Sequence, residues 1–404
     1  MSEVVNFPNL TFAGGYLLEL FGQSVIDPAG LLENDLALPL DQTKYKTTLN
    51  EINDTIELQD PSAKFSDQAS TPVVDEVNIE AVPYEFHREL SWDTIRKTWL
   101  SQQLRAGSLE DYSPATINED FIANVYQPKL AAVQSHLICQ GKTGVDPTLG
   151  SISFSQPYTG LYEVFNNSSV VSKLSIANDQ IAIASVQDDA SPTVVRATGD
   201  FTEALFAGNL VSVRKAAGTG WTALNTDLKV LAVTLNGGNT DITLAVDTSA
   251  LDKADYTGGS AQIRFINRTN IVQKMANHYG FVPTQIRRNG GKIVIPAHLE
   301  NEWQFANALV SQNSGDFVRT SYQLQLIQSS VVVLDDAPIN TIGTWPKNRV
   351  GYVYDLKDDV TNIEMNWLGD IGDKVYRLRS ASKTGISISK LFADEITLST
   401  PEKD

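Results

Sequence analysis

The sequence predicts an α+β protein interrupted by an all-β module, and three observations predict it. Apolar residues keep a helical period across 117–137; the stretch 170–265 is dominated by short alternating runs rich in Val, Thr, Ala and Gly; and mixed helix and strand patterns then return and close the chain. Size and composition agree. With 404 residues, 42% of them hydrophobic and 20% charged, the chain is an ordinary globular one with room for two or three domains.

The helical stretch is the most regular. Ile117, Phe121 and Val125 recur at four-residue steps, and Leu130, Val133 and Leu137 continue the stripe, so one face is made for packing. Thr116 and Glu119 form a capping box at its start, and Gly141 is placed to end it in a left-handed conformation. Pro128 has no N–H and would clash with the carbonyl of Asn124, so the helix is expected to bend there. A peripheral domain over 89–162 with a spine helix at 117–140 is the reading.

Before that helix the chain looks extended. Residues 1–40 carry Gly14, Gly15, Gly22, Pro28, Gly30 and Pro39, too many breakers for a domain, and read as an arm laid over another surface. Residues 41–88 hold two strand-like runs, Tyr45 to Leu58 and Val73 to Val82, joined by a polar linker; in the second, Val77, Ile79 and Ala81 alternate with Asn78 and Glu80. A hairpin of that length has almost no core of its own, so it is expected to lean on another subunit. Leu90 to Ala106 reads as a helix capped by Ser91, with Ile95, Trp99 and Leu104 inward.

Residues 163–266 read as an inserted β-sandwich or barrel. Strands are expected at 174–185, 210–214, 228–235, 242–246 and 262–266, separated by Ser191-Pro192, Gly218 to Gly220, Asn236-Gly237-Gly238 and Gly258-Gly259. The last domain, 267–404, begins with a helix at 271–279 stopped by Gly280 and Pro283. A strand at 292–295 leads to a helix starting at Pro296, with Leu299, Trp303, Ala306 and Leu309 inward. Strands are expected at 324–334, 350–354, 363–367, 374–379, 386–388 and 395–398.

Charge and residue counts narrow the function. A net charge of −17 disfavours sequence-independent binding of nucleic acid, which draws its affinity from Lys and Arg on phosphates. No apolar run reaches about 18 residues and the start lacks a basic segment followed by an apolar block, so a membrane span and a signal peptide are not expected and the cytoplasm is the default compartment. Cys139 is the single cysteine and reads as a buried thiol.

The search for chemistry finds no catalytic, cofactor-binding or metal residues. His87, His136, His278 and His298 lie in no metal-binding spacing, and Gly141-Lys142-Thr143 lacks the upstream glycine of a phosphate loop, His136 standing in its place. Asp335-Asp336 and Asp358-Asp359 follow predicted strands as solvated turns. The sequons at Asn9 and Asn267 have no meaning without secretion. Lys44, Lys46 and Lys64 lie in or near the hairpin without an asparagine and acid to make a crosslink. The expectation is a non-enzyme, a structural protein without cofactors.

The order of parts, together with Glu89 to Trp99 (ELSWDTIRKTW), Asn118 to Gly141, Asn270 to Pro283, Lys292 to Trp303 and the closing run from Gly369 to Ser399, resembles the major capsid proteins of tailed bacteriophages with the Hong Kong 97-type fold. The resemblance implies an N-arm (1–40), an E-loop hairpin (41–88), a peripheral domain with its spine helix, and an axial domain with closing peripheral strands (267–404); the insertion departs from the minimal fold. It also implies self-assembly into an icosahedral head shell of pentamers and hexamers that encloses double-stranded DNA without tight specific binding. A scaffolding protein, a portal protein and decoration proteins would be partners, assembly would take place in the host bacterial cytoplasm, and no membrane would be involved. Two other readings fit the same residues: an encapsulin-like compartment shell, and a surface adhesin whose β insertion binds a ligand.

Overall fold

The structure is a computed structural model. It describes residues 10–12, 29–40, 46–53, 73–91, 127–142, 145–146, 152–153, 159–175, 180–188, 191–257, 260–288, 291–314, 331–354, 363–367 and 375–401. The chain divides into two compact units, one of Met1–Asn167 with Lys347–Leu391, the other of Ser168–Pro346 with Phe392–Asp404.

The first unit is organised on one long strand, Val375–Ile388. It pairs antiparallel with Val82–Ser91 along one edge, Thr384 opposite Val82 and Val375 opposite Ser91, and with Ile363–Trp367 and Val350–Tyr354 along the other. Leu10–Phe12 and Leu38–Leu40 complete the sheet at its two ends. Residues 29–40 of the expected arm therefore lie on their own chain. Leu31, Leu36 and Ala37 are buried, Asp35 takes a left-handed φ of 52°, and its carboxylate accepts from Lys347 Nζ at 2.7 Å.

The hairpin forms as the alternation predicts. Lys46–Asn53 pairs antiparallel with Val73–Glu80 in unbroken register, from Lys46 opposite Glu80 to Asn53 opposite Val73. Its proximal half does not wait for another subunit: Val77, Ile79 and Ala81 bury against Val353 of the same chain, with Leu40 beside them. The correction has a plain cause, since Val353 lies more than 270 positions downstream, where no local pattern connects it to the hairpin. Leu90, expected in a helix, lies instead in the strand Val82–Ser91, because Tyr376 pairs with it from the far end of the sequence; the expected helix beyond residue 91, with Ser91 as its cap, lies outside the described residues.

Helix α1, Gln127–Gln140, is the described part of the expected spine helix. Leu130 and Leu137 are buried along it as the stripe requires, and Cys139 is fully buried. The segment from 114 to 126, with the capping box and the turn before Pro128, lies outside the described residues. Gly141 follows the last helical residue as expected, its N–H closing on the Leu137 carbonyl at 3.0 Å, and the helix end is finished by Gly160, whose N–H donates to the Gly141 carbonyl at 2.8 Å. A Cβ on Gly160 would stand 2.6 Å from Gly141 N, so only glycine lets the chain approach. Helix α2, Leu161–Asn167, then packs Leu161, Tyr162 and Phe165 inward.

The second unit contains a closed barrel of six antiparallel strands. Going round it, Thr193–Thr198, Asn239–Leu244, Asp227–Asn236, Leu210–Arg214, Gln262–Phe265 and Gln180–Asp188 return to the first. Its core joins Val195, Val211, Val213, Val230, Ile242, Leu244 and Ile263 to Trp221, whose indole N–H donates to the Asp252 carbonyl at 3.0 Å. Gly237 and Gly238, both at positive φ, make the two-residue turn that the right-handed strand twist favours between Asn236 and Asn239. The segment expected as one strand at 174–185 is divided. Ser172–Ser175 joins a different, five-stranded sheet and only Gln180–Asp188 enters the barrel.

That sheet runs Val331–Leu334, Ile293–Pro296, Ile342–Thr344, Thr397–Thr400, Ser172–Ser175. Helices α3 (Ile271–Phe281), α4 (Thr284–Arg288) and α5 (Ala297–Ser314) belong to the same unit, and Ile271, Met275, Leu299, Trp303 and Ala306 meet Ile293, Ile295 and Ile342 in a second core. Pro296 ends its strand, opposite Leu334, rather than opening α5. The short α4 is not foreseen in the sequence, where Pro283 reads only as a stop.

Four buried asparagines seat the barrel on this core. Asn340, left-handed at φ 57°, accepts from Ile266 N–H at 3.0 Å and donates to the Leu210 carbonyl at 3.2 Å. Asn267 donates to the Ala204 carbonyl at 2.7 Å and to Asn209 Oδ1 at 3.1 Å, while Asn270 Oδ1 accepts from Asn267 N–H at 2.9 Å. Short amide side chains can turn both a donor and an acceptor to the backbone, which keeps these polar atoms satisfied away from water.

Candidate functional site

The two faces of the hairpin differ because cross-strand partners share a face. On the inner face Val77 and Ile79 are buried, and one pair further out Glu51 stands opposite Asp75. Glu51 Oε2 accepts the backbone N–H groups of Lys390 at 3.0 Å and Leu391 at 3.1 Å. Lys390 Nζ donates to the Glu76 carbonyl at 2.9 Å and lies 3.8 Å from Asp75 Oδ1. These bonds pin the middle of the hairpin to the turn that follows the long strand.

On the outer face the ladder starts polar, with Thr48 donating to Asn78 at 2.9 Å and Asn50 opposite Glu76, and ends apolar with Ile52 opposite Val74. On this face Ile52 is 64% exposed and Val74 61%, and Val73, next along the strand and turned to the other face, is 56% exposed. An exposed apolar pair at the outer end of the described part of a braced hairpin can bind another apolar surface, gaining about 1–2 kcal/mol per side chain buried. The alternation marks Val74 as outward. The Glu51 and Lys390 brace is not legible, because the two residues are joined only by the fold.

The histidines are dispersed. His278 is buried, its Nδ1 2.9 Å from Ser399 Oγ and its Nε2 3.0 Å from Thr344 Oγ1, so the ring ties α3 to two strands of the sheet. Burial takes its pKa down to about 3. Burial is also the leading cause of the lowered pKa of His298 on α5, opposed by a bond to Asn340 and by nearby Asp227 and Glu302. His136 lies on α1 and His87 in the strand Val82–Ser91. Among the described residues, no three His, Cys, Asp or Glu side chains are grouped to hold a metal.

His278 gives a pH prediction. Below about pH 6.5 the unfolded chain binds a proton at this histidine and the folded chain does not, so stability falls as pH drops toward the folded value, by about 1 kcal/mol per pH unit. Denaturant titrations of the wild type and His278→Gln should differ in slope across that window, the variant being flatter.

The remaining sequence candidates are placed as follows. Lys142 is exposed and pairs with Glu163 at 3.7 Å, following the helix end. Asp335-Asp336 lies in a turn, and Asn267 is buried in the barrel seat. Lys46 is opposite Glu80 in the hairpin; Lys44, Lys64 and Asp358-Asp359 lie outside the described residues. Tyr162 is buried near Cys139, and burial raises its pKa well above the usual tyrosine range.

No family model matches the sequence, and no curated protein matches it. In structure the chain is similar to the capsid of an empty GTA particle, at 13% identity over 92% of this chain and 89% of that one, with a TM-score of 0.42. It is also similar to a satellite phage P4 procapsid that includes a size determination protein, at 8% identity over 98% and 93%, with a TM-score of 0.47. A third similarity is to a virus-like particle from Pyrococcus furiosus, at 9% identity over 96% and 100%, with a TM-score of 0.38.

Proposed function

We propose that this chain is the major capsid subunit of a tailed bacteriophage with the Hong Kong 97-type fold, and that it has no enzymatic activity. Copies assemble as pentamers and hexamers into the icosahedral head shell around the double-stranded DNA genome. The observation that carries the reading is the braced hairpin whose proximal half is seated on its own chain and whose described outer end exposes Ile52, Val73 and Val74. A shell repeats one such modest contact over many copies.

The other parts take their places in the same reading. Residues 1–40 are the N-arm, 41–88 the E-loop, 89–162 the peripheral domain with its spine helix, 163–266 the insertion, and 267–404 the axial domain with closing peripheral strands. The net charge of −17 suits a container from which DNA is ejected, since it weakens the hold on packaged polyanion. Assembly takes place in the bacterial cytoplasm with a scaffolding protein, and the finished head includes a portal and decoration proteins.

Light scattering with negative-stain microscopy tests this on the purified full chain, alone and after co-expression with the products of neighbouring genes. Closed shells, or rings of five and six subunits, are expected. A compact monomer under both conditions overturns the proposal.

A further inference from the structure

The chain leaves the barrel after the strand Gln262–Phe265 and reaches α3 through residues 266–270. Arg268 lies in this crossing. Its guanidinium is sandwiched between two rings, 5.1 Å from the centroid of Phe206 in the barrel connection and 5.1 Å from that of Phe305 on α5. Glu302, also on α5, uses one carboxylate oxygen to accept both the Arg268 N–H at 2.9 Å and its Nε at 3.1 Å. The second oxygen of Glu302 is 3.5 Å from the Asn209 amide of the barrel. One side chain thus touches the barrel, the crossing and the helix at once.

Its position separates it from the asparagines of the seat. Asn267, Asn340, Asn209 and Asn270 are buried, whereas the Arg268 side chain is 38% exposed and Phe305 59% exposed. Water reaches the stack first, so the stack is the part of the junction that opens first. A flat guanidinium fits between two rings while keeping its charge toward a carboxylate; a lysine ammonium cannot do both.

We propose that Arg268 is the pin that holds the barrel against α5, and that withdrawing it lets the barrel open about the 266–270 crossing while its own strands stay folded. The pin fixes one barrel orientation on every copy of the chain, whatever the chain assembles into, and a chain that never assembles tests it equally well.

Hydrogen exchange of backbone amides on the full chain reads this out. In Arg268→Ala, amides across 201–209 and 266–270 are expected to exchange about ten-fold faster, two cation–π contacts and a partly buried ion pair being lost. Amides at 211–213 and 242–244, inside the barrel, are expected to keep their wild-type rates. Arg268→Lys should give a smaller acceleration of the same pattern, and so should Phe305→Leu, whose exposed ring carries little of the core and which keeps the test open if the alanine variant fails to fold. Unchanged exchange at 201–209, or equal acceleration inside the barrel strands, overturns the proposal.

Discussion

If the chain is a capsid subunit as proposed, aspartate at Ile52 and Val74 is expected to leave it folded and to stop it from assembling. Both residues are exposed on the outer face and opposite each other, so the folded monomer loses no core contact, and the cost, about 1–2 kcal/mol from facing like charges and poorer strand propensity, stays local to the hairpin. In an assembled shell the two aspartates would be driven into the surface that the apolar pair covers. The lost burial, about 1–2 kcal/mol per side chain, combines with the desolvation of two carboxylates and raises the concentration needed for assembly roughly a thousand-fold. Sedimentation of the double variant, alone and mixed with wild type, checks this. Shells at the wild-type threshold would remove the hairpin end from the assembly contacts.

A methyl group at Gly385 should unseat the same hairpin from the other side. Gly385 lies within the long strand opposite Val353, where the chain at Glu80 and Ala81 crosses it. A Cβ there would overlap the Glu80 carbonyl oxygen and stand 3.0 Å from the Glu80 carbonyl carbon, and these are backbone atoms that no rotamer change can move aside. Gly385→Ala is expected to cost about 3 kcal/mol and to lower the melting temperature by roughly 8 °C. Gly280 provides the opposite case: it lies within α3 with open space where its Cβ would go, so alanine there should stabilise by about 0.5–1 kcal/mol. Calorimetry on the two variants gives opposite signs if backbone approach, rather than glycine content, decides the outcome.

Much of the local structure was legible because it is written in local periodicity. The hairpin strands, the strand Ile363–Trp367, and the inward residues Leu299, Trp303 and Ala306 of α5 follow from alternation or from the helical period, and Val350–Tyr354 from its short run of strand-forming residues. What stayed hidden depends on partners far away in sequence. The end of Val82–Ser91 reads as the start of a helix until Val375–Ile388 arrives nearly 300 residues later, and that strand itself reads as two pieces, 374–379 and 386–388. Gly385 is there for the crossing with Glu80, a reason visible only in three dimensions.

The candidate site divides in the same way. Val74 is marked by its place in the alternation, and its pairing with Ile52 follows once the register is set. The brace of Glu51 on the Lys390 and Leu391 N–H groups, the His278 bridge from α3 to Thr344 and Ser399, and the Arg268 pin each join segments that the sequence keeps apart. Polar residues carry no period, so their partners cannot be read from spacing.

The most direct measurement is a cryo-electron microscopy map of the particle formed by the full chain, at a resolution that traces the hairpin. The account predicts a closed icosahedral shell in which Ile52, Val73 and Val74 of each copy are buried against a neighbouring copy. A particle in which these three side chains stay in solvent, or a chain that forms no particle with its co-expressed neighbours, would contradict it.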